Sequence, residues 1–339
     1  MSKINIKKVG VGIVGAGLIG WKRAAAIEIA KKGKLLAVAD INFSKAEELA
    51  KKYNCEAYKD WRVLLERKDI DIVIVSVPNN LSVPIAIAAL KNGKHVLCEK
   101  PLGRNSKESF EILKATRNCG KVLKIGFNHR FHASIAMAKR FFDEGKMGKI
   151  MFIRACYGYG GRFGMEKEWR MNKNIAGGGV LLDLGVHIID LARWFGGEPE
   201  EVYGLTQTKF WKTKVDDNAF VLMANKNVTA SFHVSSTNWK NIFSFEVFGE
   251  LGFIKIEGKG GSYGEETLIL GKRKLKFGVP DTKVFKFPRD VSWLKEWENF
   301  LNVIFNKSKI NGDVYDGYKA NLLVDAIYRS SNSGKIIKV

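Results

Sequence analysis

The sequence predicts an α/β protein of two domains: a doubly wound parallel sheet over residues 1–126, then an α+β domain with a mainly antiparallel sheet over residues 127–339. Three observations predict it. A chain of 339 residues suits two domains of roughly 150 residues each. Up to residue 126, apolar runs alternate with helix-like stretches, the pattern of a parallel sheet with helices on both faces. From residue 201 to about 287, short strand-like runs follow one another with hairpin signals, as in NAFVLMANKNVTASFHV, where Asn225-Lys226-Asn227 supplies the turn.

The first strand is the apolar run from Val9 to Val14, inside VGVGIVGAGLIG. That stretch holds G-x-G-x-x-G twice, as Gly10/Gly12/Gly15 and as Gly15/Gly17/Gly20. The first frame would place three glycines inside the following helix, at about 0.8–1 kcal/mol each relative to alanine. The second frame leaves a glycine-free, alanine-rich helix from Trp21 to Lys31, so the second frame is the turn. The next strand, Leu35 to Ala39, ends on Asp40, a carboxylate placed to accept the adenosine ribose hydroxyls and to repel a 2′-phosphate. NAD is therefore expected rather than NADP. Gly15, Gly17, Leu18, Ile19 and Gly20 would meet the pyrophosphate at the helix N-terminus.

The alternation continues with helices at Ser44–Tyr53 and Trp61–Glu66, a strand at Asp71–Val77 and a helix at Val83–Asn92. A strand at His95–Glu99, a helix at Lys107–Cys119 and a strand at Val122–Phe127 follow. In the second half, a helix at Ser134–Glu144 leads to a strand at Ile150–Tyr157, a Gly- and Arg-bearing loop, and a helix from about Gly179 to Trp194. Helices at Trp293–Phe305 and Tyr315–Ser330 and a short terminal strand close the chain.

Composition sets bounds on function. The 46% hydrophobic and 27% charged content is ordinary for a globular protein. Cys55, Cys98, Cys119 and Cys156 show no C-x-x-C spacing, which reads as reduced thiols and no metal site. Lys3, Lys7 and Lys8 before an apolar run imitate a signal peptide, but the run is the dinucleotide turn and Trp21-Lys22-Arg23 stands where cleavage would fall. No other run approaches the ~18 apolar residues that cross a bilayer, so a soluble cytoplasmic protein without a membrane partner is expected. The net charge of +21 comes from lysines scattered along the chain rather than in blocks, which reads as a solvated surface and not a nucleic-acid site.

Chemistry is expected beyond the carboxyl ends of the parallel strands. SVPNN (76–80) follows one strand and EKP (99–101) another; Lys100, beside a carboxylate and stiffened by Pro101, could face a cofactor or be an ordinary surface turn. In GGGVLLDLGVHIIDLARWFGG (177–197), Asp183 and His187 stand four apart on an otherwise apolar helix, so they share a face. They are either a satisfied core pair or a catalytic pair.

Gly15-x-Gly17-x-x-Gly20, Asp40, Glu99-Lys100-Pro101, Asn128-His129-Arg130 and Gly178-Gly179 before Asp183-x-x-x-His187, in this order, resemble the glucose–fructose oxidoreductase/inositol dehydrogenase/MocA family over essentially the whole chain. The resemblance implies a Rossmann domain and a C-terminal domain whose large open sheet makes a homodimer or homotetramer. It implies that Lys100 and His187 transfer protons, with Asp183 as their polar partner. It also implies that Asn79 and Glu99 hold the nicotinamide ribose, with Val77, Pro78, Lys100 and Asn128 nearby. Ser82 departs from the histidine that many members carry there.

The residue types suit oxidation of a secondary hydroxyl: hydride leaves carbon for the nicotinamide C4 while the hydroxyl proton goes to a positioned base. Lys100 and His187 both qualify, and the sequence does not choose between them. In YGYGGRFGMEKEWR (157–170), Arg162, Lys167, Trp169 and Arg170, with His129 and Arg130, could bind substrate. The loop leans toward a sugar, a nucleotide sugar or a uronate, with inositol-type polyols also open. The alternatives are a redox-neutral cycle on tightly bound NAD and a non-catalytic dinucleotide-binding regulator.

Overall fold

The computed structural model describes residues 9–339 except 118, 275 and 277; the signal-like lysines at 3, 7 and 8 lie outside the described residues. In chain order the first elements are β1 (Gly10–Val14), α1 (Leu18–Ala30), β2 (Lys34–Ala39), α2 (Phe43–Tyr53), β3 (Glu56–Tyr58), α3 (Trp61–Glu66), β4 (Ile72–Val75), α4 (Asn79–Lys91), β5 (His95–Glu99), α5 (Ser106–Thr116) and β6 (Leu123–Gly126). Then come α6 (Ala133–Asp143), β7 (Ile150–Gly158), α7 (Lys173–Ala176), a π-helical turn (Leu181–Gly185) that runs into α8 (Val186–Gly196), β8 (Glu201–Gln207), β9 (Asn218–Ala224) and β10 (Thr229–Ser235). The chain closes with β11 (Ile242–Gly249), β12 (Gly252–Glu257), β13 (Glu266–Lys272), β14 (Asp281–Phe287), α9 (Ser292–Asn306), α10 (Val314–Ser333) and β15 (Ile337–Lys338).

Among the described residues, the first sheet is parallel with the order β3-β2-β1-β4-β5-β6, the doubly wound dinucleotide order. Its central strands are apolar throughout: every residue of β1 and β4 is buried. The second sheet runs β14-β13-β12-β11-β7-β10-β9-β8-β15 and is antiparallel except where β10 meets β7. The β9–β10 turn is built as its sequence suggests, with Asn225 Oδ1 accepting from the amides of Asn227 and Val228, both at 2.9 Å.

The chain divides into two compact units, and the division differs from a single boundary at 126/127. Residues 293–318 belong with the first unit, and residues 128–292 with 319–339 form the second. The physical reason is α9: Trp297, Phe300 and Leu301 are buried in the same core as Val9, Val11, Ile27 and Leu35. An amphipathic helix read alone shows that it has a buried face, not which core that face joins.

Three further readings change. α1 begins at Leu18, not Trp21, so Gly20 lies in its first turn. β3 is a short strand of mixed polarity whose pattern is too brief to stand out. Contrary to the reading that no further run is long and apolar enough to cross a bilayer, the stretch from Lys173 to Gly196 is so by length and composition, but 83% of its apolar part is buried inside the protein, as in a core helix.

Candidate active site

In the first unit the two glycine frames separate by geometry. Gly10 and Gly12 lie inside β1, where a Cβ at Gly12 would stand 2.6 Å from the Leu64 side chain, so they serve strand packing. Gly15 has φ +102°, and a Cβ there would meet the Ser76 carbonyl at 2.2 Å. Gly20 allows α1 to approach to where a Cβ would stand 2.2 Å from the Gly15 carbonyl. At Gly17 a Cβ would meet nothing within 4 Å, and this residue caps α1 without a side-chain hydrogen bond. Two glycines are thus required by packing and one opens space at an uncapped helix N-terminus, which fits a pyrophosphate. Leu18 is exposed and Ile19 half-buried on the same turn.

Asp40 stands just beyond β2, and its carboxylate accepts from the amides of Ala16 and Asn42, both at 2.8 Å. It therefore ties the glycine turn to the second strand, leaving lone pairs for a ribose. Asp40→Ala is expected to weaken NADH binding at least tenfold and to narrow the preference over NADPH, measured by fluorescence titration of both. An unchanged ratio would remove Asp40 from discrimination.

At the end of β4, the Ser76 hydroxyl donates to the Gly15 carbonyl at 2.8 Å; Val77 is half-buried and Pro78 caps α4. Asn79, buried at the head of α4, has its carbonyl fixed by Ser82 Oγ at 2.8 Å, so serine at that position serves the helix start. At the end of β5, Glu99 receives Arg23 at Oε1, with Nη2 at 2.5 Å and Nε at 2.6 Å. Burial pushes the Glu99 carboxyl up, opposed by Arg23. Lys100 follows directly, joined to Pro101 by a cis peptide bond.

In the second unit, residues 128–131 form a buried 3-10 turn. Asn128 donates to Ser292 Oγ at 3.1 Å, and its Oδ1 lies 3.2 Å from His129 Nδ1. The His129 ring stacks on His187, centroids 3.7 Å apart and planes within 21°; both rings are buried. Arg130 turns into the core, where it grips Asp190 at 2.6 and 2.8 Å with both side chains under 5% exposed. Arg162 pairs with Glu168 at 2.7 Å, and Arg170 lies 3.9 Å from Asp183 and 4.5 Å over the Trp169 ring.

Asp183 lies in the π-helical turn that runs directly into α8, and His187 stands in the first turn of α8. The start of that turn is held by Asp216, whose carboxylate accepts from the amides of Gly179 and Leu181 at 2.9 and 2.8 Å and from the Tyr328 hydroxyl at 2.6 Å. A Cβ on Gly179 would lie 1.9 Å from the Asp216 carbonyl, which explains glycine there. Around Asp183 the structure also places Tyr157, Tyr159 and Tyr263, each phenol raised by burial first and by the Asp183 charge in addition. Sequence reasoning did not single out Asp216 or these tyrosines. Tyr157 and Tyr159 lay in the quoted loop, but Tyr263 comes from a glycine-rich loop whose sequence carries no signal of its target.

Behind the histidines, Glu266 accepts from His132 Nδ1 at 2.9 Å and from the Ser134 amide at 2.7 Å. Burial works to raise its carboxyl, and these partners outweigh it, so it titrates below its ordinary value. A depressed carboxyl contributes stability above its unfolded value of about 4.3 and loses it as pH falls through the folded value. Glu266→Gln is therefore expected to lower Tm at neutral pH and to flatten its fall below about pH 4, measured by thermal melts across pH.

An uncapped glycine turn on a doubly wound sheet, with a strand-end lysine and a second unit presenting buried imidazoles beside a carboxylate, defines the class of NAD-binding oxidoreductases. Residues 9–127 match the model of the oxidoreductase family with an NAD-binding Rossmann fold, and residues 135–255 match the GFO/IDH/MocA C-terminal domain. The chain belongs to the GFO/IDH/MocA family of NAD-dependent oxidoreductases. It is 26% identical to levoglucosan dehydrogenase of Pseudarthrobacter phenanthrenivorans, over 96% of this chain and 97% of that one. It is 26% identical to myo-inositol 2-dehydrogenase of Thermotoga maritima (97% and 98% covered) and 27% identical to D-glucoside 3-dehydrogenase of Escherichia coli (97% of each). Its fold is similar to that of a levoglucosan dehydrogenase complexed with NADH and levoglucosan, with a TM-score of 0.90, 25% identity, and 98% and 99% of the chains covered.

Proposed function

We propose that the protein oxidises a secondary hydroxyl of an uncharged sugar or cyclitol ring with NAD, or catalyses the reverse reduction. The observation that carries this reading is the pairing of the guanidinium groups. Arg130, Arg162 and Arg170, the groups suited to a carboxylate or phosphate, each face a carboxylate of their own unit. Binding an anion on Arg130 would break its buried pair with Asp190, and the more exposed Arg162 and Arg170 already have a carboxylate beside them, whereas a neutral ring needs the hydroxyls and ring faces that Tyr157, Tyr159 and Tyr263 offer around Asp183. The similarity to levoglucosan, inositol and glucoside dehydrogenases supports a sugar or cyclitol ring as the substrate.

NAD supplies the hydride acceptor when bound. Gly15, Gly17 and Gly20 with the head of α1 would hold its phosphates, Asp40 the adenosine ribose, and Asn79 the nicotinamide ribose. The hydroxyl proton passes to Lys100 or, in its place, to His187, whose ring plane is set by the stack on His129. Asp183 orients the donor hydroxyl. The test measures reduced nicotinamide formed with levoglucosan, myo-inositol and a D-glucoside against glucuronate and a UDP-sugar. A kcat/KM at least tenfold higher for a neutral ring is expected. Preference for a charged sugar would overturn the reading, and copurified NAD with no accumulating NADH would replace it with a redox-neutral cycle.

We also propose that the outward face of the second sheet seats a second copy of the chain. Tyr203 and Leu205 on β8 stand beside Leu222 and Phe220 on β9, all at least 40% exposed. The row reaches β10 through the Phe220–His233 stack, and a separate apolar spot lies on the same face at the Phe152–Phe248 stack, beyond the Arg154–Glu246 pair. Phe220→Asp with Leu222→Lys is expected to yield monomers by sedimentation; a wild type that already sediments as a monomer would sink the assignment.

A further inference from the structure

We propose that Arg23 and Glu296 are positioning residues for Lys100, acting through the Glu99 side chain. This inference rests on the reading that Lys100 transfers the substrate proton. Arg23 is 1% exposed on α1 and divides its guanidinium between two carboxylates: Nε and Nη2 reach Glu99, and Nη1 reaches Glu296 Oε2 at 2.6 Å. Glu296 is fully buried on α9, and the Trp293 ring of the same helix covers the guanidinium at 4.6 Å. Gly126 on β6 completes the enclosure, since a Cβ there would stand 2.7 Å from Glu99 Oε2 and 2.9 Å from Arg23 Nη2.

The placement argues for more than packing. Buried ion pairs are a poor way to gain net stability. Of the three ionic side chains, Glu99 alone reaches the surface, at 12% exposure, and it is the last residue of β5, directly before Lys100. Two guanidinium nitrogens held in one plane converge on the single oxygen Glu99 Oε1, a fixed pair of donors that a lysine ammonium does not offer. With both carboxylates ionised the cluster carries one negative charge in excess. Lys100 is the adjacent cation, and its charge acts on Glu99. Arg23 and Glu296 therefore hold the Glu99 side chain in place, and with it the end of β5 from which Lys100 directly follows.

The test compares Arg23→Lys, Glu296→Ala and Glu296→Gln with the wild type. Three readouts are taken: the acetylation rate of Lys100 in the protein without cofactor, measured by mass spectrometry against other lysines; the Kd for NADH; and kcat and KM with the best alcohol. Arg23→Lys and Glu296→Ala are expected to label Lys100 at least threefold faster and to lower kcat at least tenfold, with KM and the NADH Kd within threefold. Glu296→Gln, which still accepts from Arg23, is expected to restore at least a third of the lost turnover. Unchanged labelling and kcat in Arg23→Lys would overturn the proposal. Should Glu296→Ala not fold, the contrast between Arg23→Lys and Glu296→Gln decides. If Lys100→Ala itself keeps full turnover, the reading of Lys100 falls, and the labelling rate still judges the positioning.

Discussion

Replacing Lys100 by alanine is expected to lower kcat by about 10²–10⁴-fold, the usual range for losing a positioned acid or base, while the Kd for NADH changes no more than a few-fold. The groups assigned to the pyrophosphate and the adenosine ribose lie elsewhere in the first unit: the open face at Gly17, the uncapped head of α1 and the Asp40 carboxylate depend on β1 and β2, not on the end of β5. Lys100 contributes one ammonium group on a strand end whose preceding side chain is already gripped by Arg23. Its removal takes away a proton acceptor without dismantling the turn. His187→Ala is the necessary companion, because a buried imidazole stacked at 3.7 Å on His129 is the competing acceptor. If Lys100 is the base, its loss exceeds that of His187; if the two act as a relay, the double variant falls hardly further than either single one. Turnover within threefold of wild type in Lys100→Ala would exclude it from the reaction.

What the sequence made legible was whatever depends on neighbours along the chain. The choice of glycine frame followed from helix propensity alone, and the structure separates the same glycines into strand-packing and turn-forming sets. The strand and helix alternation led directly to the parallel sheet, and the hairpin at Asn225 to the antiparallel one. Illegible were the consequences of distant residues meeting. Arg130 looked like an anion-binding group, and only the fold brings Asp190 to it. The π-helical turn at Asp183 depends on Asp216, which caps the Gly179 and Leu181 amides from a loop more than thirty residues onward. The Arg23 cluster joins residues 76 and 273 positions apart, with no local pattern to announce it.

The largest stability effect is expected at α9. A fragment ending at residue 127 should not unfold cooperatively or bind NADH, whereas the same fragment joined to residues 293–318 by a Gly/Ser linker should do both. Without α9 the first core loses Trp297 and Phe300, both essentially unexposed, together with the indole hydrogen bond from Trp297 Nε1 to the Lys32 carbonyl at 3.0 Å. Arg23 loses Glu296 and is left with a single carboxylate in a buried setting. The outer edge of β6 opens as well: the Ile125 amide donates to the Gly312 carbonyl at 3.0 Å, Lys124 Nζ donates to the Asn311 carbonyl, and Lys124 and Asp313 form an antiparallel backbone β-bridge. An uncovered edge of that kind recruits other chains. Trp297→Ala alone is expected to cost about 3–5 kcal/mol, as buried aromatic truncations do, a large share of the ~5–15 kcal/mol that holds a typical protein folded. Denaturant melts of the two fragments and of the Trp297→Ala chain measure both effects. A fragment of residues 1–127 that melts as sharply as the joined one and binds NADH as tightly would mean that α9 merely rests on a finished domain.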